Sequence, residues 1–318
     1  MPPPDPALRP TMSRDDLRLP RRDLILAATS VLVAACSSQA PRRSASAPQA
    51  QPDANGELAR IEATVGGRVG VFALDTASGR TLAHRADERF AMCSTFKWPL
   101  AAAVFARIDR GEASLEQRIP FGPADLMDHA PVAKEHVGEG AMTIETMARA
   151  AVTVSDNTAA NVLLAWLGGP GALTVFFRQL GDTVTRLDRN EPTLNSNDPG
   201  DARDTTSPRA MVGLLKAALL GDALKPASRE RLLALLQACE TGKKRLRAGL
   251  PAGWVVGDKT GTGEFAVNDV AIAIPPGRAP ILMAVYMSDP GGPDDEDSVR
   301  HEAGDVAIAR LVARELGR

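Results

Sequence analysis

The chain has few of the residues from which metal centres and histidine-based catalytic triads are built. Among its 318 residues are four histidines and three cysteines, and no two histidines have the spacing of metal ligands. No G-x-S-x-G turn surrounds a serine, and no glycine-rich phosphate loop is present. These absences argue against a metal site, a zinc hydrolase and an esterase with a Ser-His-Asp triad. A catalytic base in this chain is therefore expected to be a lysine or a glutamate.

The chain also lacks an excess of charge of either sign, since 37 Lys and Arg residues face 39 Asp and Glu residues. The first 55 residues hold seven of the basic and five of the acidic residues, so the remainder carries 30 and 34. No basic patch indicates a nucleic-acid partner. A hydrophobic content of 44% in a chain of this length is enough for one or two packed domains.

The N-terminal residues have the composition of an export segment. Arg21-Arg22 precedes an apolar stretch at 24–35 that is too short to span a bilayer and is typical of a signal peptide. The arginine pair resembles a twin-arginine export signal, although the residue favoured before the pair is missing. Residues 33–36 resemble a bacterial lipobox, in which Cys36 would be lipidated. A plain signal peptide cut nearby is the alternative.

We therefore predict a signal peptide at 1–35, with a flexible tether at 36–55 because those residues are rich in Ser, Ala, Pro and Gln. An exported protein follows from this interpretation, placed in the periplasm or cell envelope and held there by a lipid anchor on Cys36.

The apolar patterns after residue 55 predict strands at both ends and helices between them. The predicted elements are a helix at 57–65, strands at 68–75 and 81–85, helices from 94 to about 238, strands at 254–258, 267–274 and 280–287, and a helix at 297–316. This order predicts an α/β plus all-α fold, an antiparallel five-stranded sheet flanked by helices with an inserted helical domain. The discontinuous α/β domain would comprise 56–88 and 240–318, and the all-α domain 89–239.

Three short strings, far apart in the chain, carry the chemistry-bearing residues. In Ser94-Thr95-Phe96-Lys97 a hydroxyl and an amine lie three positions apart, which places both on one face of a helix. An amine so placed can activate a serine, which is otherwise a poor nucleophile. Ser155-Asp156-Asn157 lies in a polar turn between apolar runs, and Lys259-Thr260-Gly261 closes a β-branched run. Taken singly, these strings could be a surface pair, a helix cap and an exposed turn.

A fourth segment, at 186–204, is predicted to be a long loop because proline and glycine interrupt its charged sequence. Glu191 and Asn195 lie four residues apart in this loop and could hold one water between them. Arg189 and Asp204 could close the base of the loop as an ion pair. A solvated charged loop is the alternative if the segment is considered alone.

The order S-x-x-K, S-D-N and K-T-G, with E-x-x-x-N before the last string, resembles the motif set of class A serine β-lactamases. The resemblance covers about residues 56 to 318. It implies the fold predicted above and an enzyme that hydrolyses the β-lactam amide of penicillins and cephalosporins through a serine acyl-enzyme, conferring antibiotic resistance. It further implies a monomer that needs no cofactor and whose partner is its small-molecule substrate.

The resemblance also implies a role for each matching residue. Ser94 would attack the β-lactam carbonyl, Lys97 and Glu191 would jointly act as the acylation base, and Glu191 would activate the deacylating water. Ser155 would protonate the ring nitrogen, and Lys259 would hold the proton relay and the substrate carboxylate. Three further residues would bind substrate or water: Asn157 the substrate's side-chain amide, Thr260 its carboxylate and Asn195 the deacylating water. The backbone N–H groups of Thr262 and Ser94 would form the oxyanion hole, and Gly261 would leave room for substrate. Asn161 would brace Glu191, and Arg189 and Asp204 would close the loop that carries it.

Two positions depart from the family pattern. No arginine follows the K-T-G string closely, so Arg245, in a basic run upstream, would bind the carboxylate, with a solvated charge as the alternative. His129 takes the place of a gatekeeping aromatic residue, with an ordinary loop histidine as the alternative. The segment between Gly263 and Asn268 is also one residue shorter than in many relatives, which would alter the rim of the cleft.

The folded part of the chain contains two cysteines. An exported protein could pair them, but Cys93 directly precedes Ser94 and should face the core. The disulfide found in many relatives is missing, because Ala101 and Met147 occupy its positions. We therefore predict no disulfide, with Cys93 and Cys239 as free thiols.

Two other functions stay open from the sequence. A D,D-peptidase or penicillin-binding protein would share the three strings but would stall as an acyl-enzyme, and Glu191 with Asn195 argues against it. A non-catalytic surface lipoprotein with this fold is the second, and the intact set of chemistry-bearing residues argues against it.

Overall fold

The computed structural model of the protein describes residues 54–196, 198, 200–288 and 295–318, of which 295–298 are described by their backbone alone. The predicted signal peptide, Cys36 and nearly all of the predicted tether lie outside the described residues. The boundaries proposed for the two domains stay a prediction.

Five antiparallel strands form the central sheet, in the spatial order β2-β1-β9-β8-β7. Its strands are β1 (Arg68–Asp75), β2 (Thr81–His84), β7 (Val255–Gly263), β8 (Ala266–Ile274) and β9 (Ile281–Ser288). In the described chain two short ladders lie apart from this sheet, β3 (Phe90–Ala91) with β6 (Thr205–Thr206) and β4 (Arg118–Pro120) with β5 (Ala141–Thr143). The sequence patterns did not predict these ladders, because two or three residues are too few to show a period.

Helices cover both faces of the sheet, so the central strands are buried on both sides. Along β9, Val285 packs with the terminal helices on one face, whereas its neighbours Ala284 and Tyr286 pack with the inserted helices on the other. The terminal side consists of α1 (Ala54–Val65), α9 (Leu246–Gly249) and α10 (Asp295–Leu316). The predicted five-stranded sheet flanked by helices, with a helical insertion, is confirmed.

The inserted helices lie between β3 and β7. They are α2 (Lys97–Asp109), α3 (Ala133–His136), α4 (Ile144–Thr153), α5 (Asn157–Leu167), α6 (Pro170–Gln179), α7 (Pro208–Leu220) and α8 (Pro226–Gln237). Within the described residues no single helix is long and apolar enough to cross a membrane; only α5 and α6 taken together reach that length, and the pair is bent by 71°.

The third predicted strand is longer than the sequence pattern indicated. We expected it to end at Asp258, with Lys259-Thr260-Gly261 as a possible exposed turn. Instead β7 continues through Gly263, because β8 pairs with it from Ile274 opposite Val255 to Ala266 opposite Gly263. The exposed-turn alternative is therefore wrong, and Lys259 is fully buried. The predicted β2 also ends one residue early, at the left-handed Arg85 (φ 42°).

Candidate active site

The candidate nucleophile lies where a tight turn leads into α2, a helix of the insertion whose first ten residues are all buried. Ser94 is in the 3₁₀ turn Cys93–Phe96, and α2 begins at Lys97. Cys93 has a positive φ of 45°, a conformation that residues with a Cβ rarely adopt outside constrained sites. Pro99 fits the first turn of α2, where its missing N–H costs no helical hydrogen bond. The predicted location of Ser94 at a helix start is confirmed.

Lys97 is fully buried and faces Ser94. Its Nζ donates to Ser94 Oγ at 2.9 Å and lies 3.0 Å from Glu191 Oε1. It also donates to Ser155 O at 2.9 Å, to Ser155 Oγ at 3.2 Å and to Asn157 Oδ1. Burial lowers the pKa of Lys97, and the Glu191 carboxylate opposes that shift. The amine therefore has an acidic and a hydroxyl neighbour and is easier to deprotonate than a solvated lysine.

In the S-D-N string, Asp156 has a structural role and Ser155 lies in the candidate site. Asp156 caps α5, since its carboxylate accepts from Ala159 N at 2.8 Å and from two further backbone amides, of which Val132 N lies at 3.0 Å. Ser155 has a positive φ of 60°, and this bend directs its carbonyl and hydroxyl at Lys97. The helix-cap alternative is thus correct for the middle residue only.

Lys259 approaches the same hydroxyl from the sheet. Its Nζ donates to Ser155 Oγ at 3.1 Å and to Thr260 O at 2.7 Å. Burial lowers its pKa to about 8, and the charge of Lys97 acts in the same direction. Two amines from separate elements therefore converge on the Ser155 hydroxyl.

Glu191 closes the opposite side of the site. Ser94 Oγ donates to Glu191 Oε1 at 3.2 Å, and Asn195 Nδ2 donates to Oε2 at 2.6 Å. Asn161 holds the Glu191 backbone at both ends, donating to its carbonyl at 3.0 Å and accepting from its N–H at 3.0 Å. The carboxylate itself contacts Ser94, Lys97 and Asn195, and the side chain is fully buried.

The loop that carries Glu191 is closed at its base by an ion pair. Arg189 Nε donates to Asp204 Oδ2 at 2.5 Å, and the backbone amides of Asp188 and Arg189 donate to Oδ1 at 2.7 and 2.9 Å. Asp204 is fully buried and has a positive φ of 57°. The predicted contact between Arg189 and Asp204 is present in the structure.

The cleft edge of β7 carries hydroxyl groups supported from the segment before α9. Thr262 Oγ1 accepts from Arg245 Nη2 at 2.7 Å, and Arg245 Nη1 donates to Gly261 O at 3.1 Å and Asn268 O at 2.7 Å. Thr260 Oγ1 lies 2.5 Å from Thr241 Oγ1. Arg245 is therefore held against the strand and is not a free solvated charge.

Gly261 is required by close packing against the nucleophile turn. A Cβ at this position would lie 2.7 Å from Met92 O and 3.1 Å from atoms of Thr95. Its predicted role is to leave room for substrate, whereas the structure shows that it lets β7 approach the turn that holds Ser94.

Sequence reasoning missed two residues at the site. Asn268 Nδ2 donates to Ala91 O at 2.9 Å and to Met92 O at 3.2 Å, which ties β8 to the nucleophile turn. Thr241 supports Thr260, as described above. Neither residue belongs to a recognisable string, and contacts between distant segments leave no spacing that a sequence pattern could show.

His129, Cys93 and Cys239 lie near the site, and of the two thiols Cys239 contacts Thr241, with Sγ 3.3 Å from Oγ1. His129 is exposed, its Nε2 lies 2.9 Å from Val154 O, and its own carbonyl accepts from Asn157 N at 2.9 Å. Cys93 and Cys239 are buried free thiols, and burial raises the pKa of Cys93 to about 12. Among the described residues no group of three or more His, Cys, Asp or Glu side chains could hold a metal ion.

The chain is similar to known proteins both in sequence and in structure. A family described as "Beta-lactamase enzyme family" matches residues 54–313. The carbapenem-hydrolyzing beta-lactamase KPC of Klebsiella oxytoca is 47% identical over 262 residues, covering 82% of this chain and 88% of the relative. Beta-lactamase L2 of Stenotrophomonas maltophilia is 48% identical over 263 residues, covering 82% and 86%. The solved structure of an ancestral (GNCA) class A beta-lactamase is 55% identical, with a TM-score of 0.79, and the match covers 82% of this chain and 99% of that one.

Proposed function

This chain belongs to the class A serine β-lactamases and hydrolyses the β-lactam amide, and on that premise we propose which of its residues carry the reaction. The supporting observation is that one hydroxyl contacts two candidate bases, since Ser94 Oγ lies 2.9 Å from Lys97 Nζ and 3.2 Å from Glu191 Oε1. Lys97 and Glu191 jointly take the hydroxyl proton while Oγ attacks the carbonyl carbon. The backbone N–H groups of Ser94 and Thr262 donate to the developing oxyanion.

Ser155 returns a proton to the ring nitrogen as the C–N bond breaks. Its Oγ receives hydrogen bonds from Lys97 at 3.2 Å and Lys259 at 3.1 Å, so its own proton is free to point into the cleft. The two ammonium groups favour the transient alkoxide, and Lys97 can replace the lost proton with the one taken from Ser94.

Glu191 activates the water that releases the product from Ser94. Its carboxylate is fixed by Asn195, whose Oδ1 is buried and has no hydrogen-bond partner among the described residues. A buried acceptor beside a carboxylate fits one bound water, which can donate to both groups. Asn161 holds the backbone of Glu191 and so sets the direction of attack.

Substrates are held by the β7 edge and the S-D-N turn. Thr260, Thr262 and Arg245 bind the carboxylate, with the Lys259 charge behind them, and Asn157 bonds the side-chain amide. We include penicillins and cephalosporins in the range, and His129 at the rim contacts the acyl side chain. One relative is described as carbapenem-hydrolyzing, so a steady-state panel with a penicillin, a cephalosporin and a carbapenem measures the breadth directly.

Intact-mass measurement with benzylpenicillin tests these assignments. We expect Ser94→Ala to form no adduct, because the nucleophile is gone. Glu191→Ala should still acylate and should accumulate the covalent adduct, because Lys97 remains and the activated water does not. Thr64→Val, which removes an exposed hydroxyl on α1 far from the cleft, serves as the matched control. Turnover of Glu191→Ala at the parent rate would show that another group activates the water.

Assays of the unmodified enzyme distinguish hydrolysis from the two other functions that the sequence left open. Continuous turnover of nitrocefin is expected. A single stoichiometric burst would indicate a penicillin-binding protein, and no acylation by labelled penicillin would indicate a binding protein.

For the N-terminal segment we propose export as a periplasmic or envelope monomer with a lipid on Cys36. The support is the apolar stretch at 24–35 followed by the lipobox-like string. Cys36→Ala should move the protein from the membrane to the soluble fraction, and unchanged fractionation would reject the anchor.

A further inference from the structure

Thr241 has a hydroxyl at the cleft rim that the reaction described above does not use. Its Oγ1 lies 2.5 Å from Thr260 Oγ1 and 3.3 Å from Cys239 Sγ. Thr241 is exposed, whereas Thr260 is 5% and Cys239 3% exposed. The three groups form a short chain of hydrogen bonds that begins in the core and ends at Thr260, the residue that we assign to the substrate carboxylate.

The backbone around Thr241 is fixed, so this contact is not a chance rotamer of a surface residue. Glu240 N donates to Thr153 O at 2.9 Å, which ties the segment to the end of α4. Gly242 packs so tightly on β7 that a Cβ there would overlap Asp258 Oδ2. Arg245 N then donates to Gly242 O at 3.1 Å. Thr241 is therefore held at one height along the strand, opposite Thr260.

The direction of the hydrogen bonds in this chain decides what Thr260 can offer. Each hydroxyl has one proton, and a carboxylate can only accept. If Thr241 donates to Thr260, the Thr260 proton is free to point into the cleft, and Thr241 in turn can accept from the Cys239 thiol. In the opposite direction, Thr260 donates its proton to Thr241, so only its lone pairs face the cleft, and these repel an anion.

We propose that Thr241 is a positioning residue that sets specificity for anionic β-lactams by directing the Thr260 hydroxyl proton toward the substrate carboxylate. The inference rests on the proposed function, because Thr260 is assigned there to that carboxylate. Lys259 donates to the backbone O of Thr260 at 2.7 Å and leaves its hydroxyl to Thr241 and the substrate. A substrate carboxylate that accepts from the Thr260 hydroxyl selects the direction in which Thr241 donates.

The test compares cephalothin with its methyl ester, which presents the same ring without the anion. We expect Thr241→Val to raise KM for cephalothin about threefold with kcat changed less than twofold, because Thr260 keeps its proton but loses the neighbour that orients it. For the ester, which has no anion for Thr260 to bind, we expect kcat/KM to change less than twofold. Thr241→Ser, which keeps the hydroxyl, should restore the KM for cephalothin.

Two further variants and one control make the result decisive. Cys239→Ala should raise KM for cephalothin by less than Thr241→Val, at most about 1.5-fold, because the thiol is a weak donor at the far end of the chain. Thr64→Val should leave both substrates unchanged, and thermal melting checks that each variant is folded. An equal loss with acid and ester, or no change with either, overturns the role of Thr241. Failure of the parent enzyme to turn over cephalothin would instead overturn the proposed function.

Discussion

The lowered pKa of Lys259 leads us to expect that activity falls above about pH 8. Its pKa is lowered from 10.5 to about 8, mainly because the amine is fully buried. The amine is charged below that pH and becomes neutral above it, so an anionic substrate loses an attractive partner as pH rises. We expect kcat/KM for cephalothin to be flat below pH 8 and to fall about tenfold for each pH unit above it, if the neutral amine contributes nothing.

The variant that separates Lys259 from Lys97 is Lys259→Arg. A guanidinium stays charged throughout the accessible pH range, so the alkaline fall should move upward by more than one unit even if the absolute rate is lower. The assay is kcat/KM from pH 6 to pH 10 under first-order conditions. An unchanged fall in Lys259→Arg would refute the reasoning, because the group that titrates would then not be Lys259.

The lowered pKa of Lys259 also makes the stability of the fold depend on pH. The unfolded chain keeps the Lys259 proton up to about pH 10.5, whereas the folded protein releases it near pH 8. The unfolded state therefore binds more protons between these values, and the contribution of this group to stability rises with pH by about 3 kcal/mol across the window. Cys93 acts oppositely from about pH 9 upward, because its pKa is raised to about 12. Urea titrations of the parent and Lys259→Arg between pH 7.5 and 9 isolate the lysine effect, which the arginine variant should lack.

Two further substitutions test the contacts that hold the loop base and the nucleophile turn in place. Asp204→Asn removes the charge that Arg189 faces at 2.5 Å, and since Asp204 is fully buried we expect a loss of about 3 kcal/mol in urea unfolding together with slower release of the Glu191-dependent acyl-enzyme. Gly261→Ala places a methyl group 2.7 Å from Met92 O, so we expect a loss of about 2 kcal/mol and a lower kcat for every substrate. An unaltered unfolding midpoint in Asp204→Asn would contradict the ion-pair argument, and one in Gly261→Ala would contradict the packing argument.

Much of this site could be predicted from sequence because its chemistry is concentrated in short strings. Ser94 and Lys97 are neighbours on one turn of chain, and their contact at 2.9 Å follows from helical spacing alone. The contact of Lys97 with Glu191 does not follow from spacing, since it joins residues on different segments, and it was expected only through the family resemblance. Thr241 and the packing role of Gly261 were missed for the same reason, because each depends on how closely β7 approaches another segment.

The site combines features that are costly when taken singly. Lys97 and Lys259 are fully buried amines, and Cys93, Ser155 and Asp204 have left-handed backbone that costs on the order of 1 kcal/mol or more each. Three of the four non-glycine residues with positive φ in the described chain thus lie in the nucleophile turn, the S-D-N turn and the loop base. Ser155 is held between Lys97 of α2 and Lys259 of β7, and Asp204 is held by Arg189 of its own loop.

Because of this, the active geometry depends on the assembled fold and not on any one string. The Ser155 hydroxyl meets one amine from α2 and one from β7, and neither element could hold both. The Glu191 carboxylate likewise depends on Asn161 of α5 for its backbone and on Asn195 of its own loop for its direction. A change that separates the sheet from the helices by a few tenths of an ångström would therefore lengthen several hydrogen bonds at once. Because of this coupling, Gly261→Ala is expected to affect turnover of every substrate, although Gly261 is packed on the nucleophile turn and is not assigned to substrate binding.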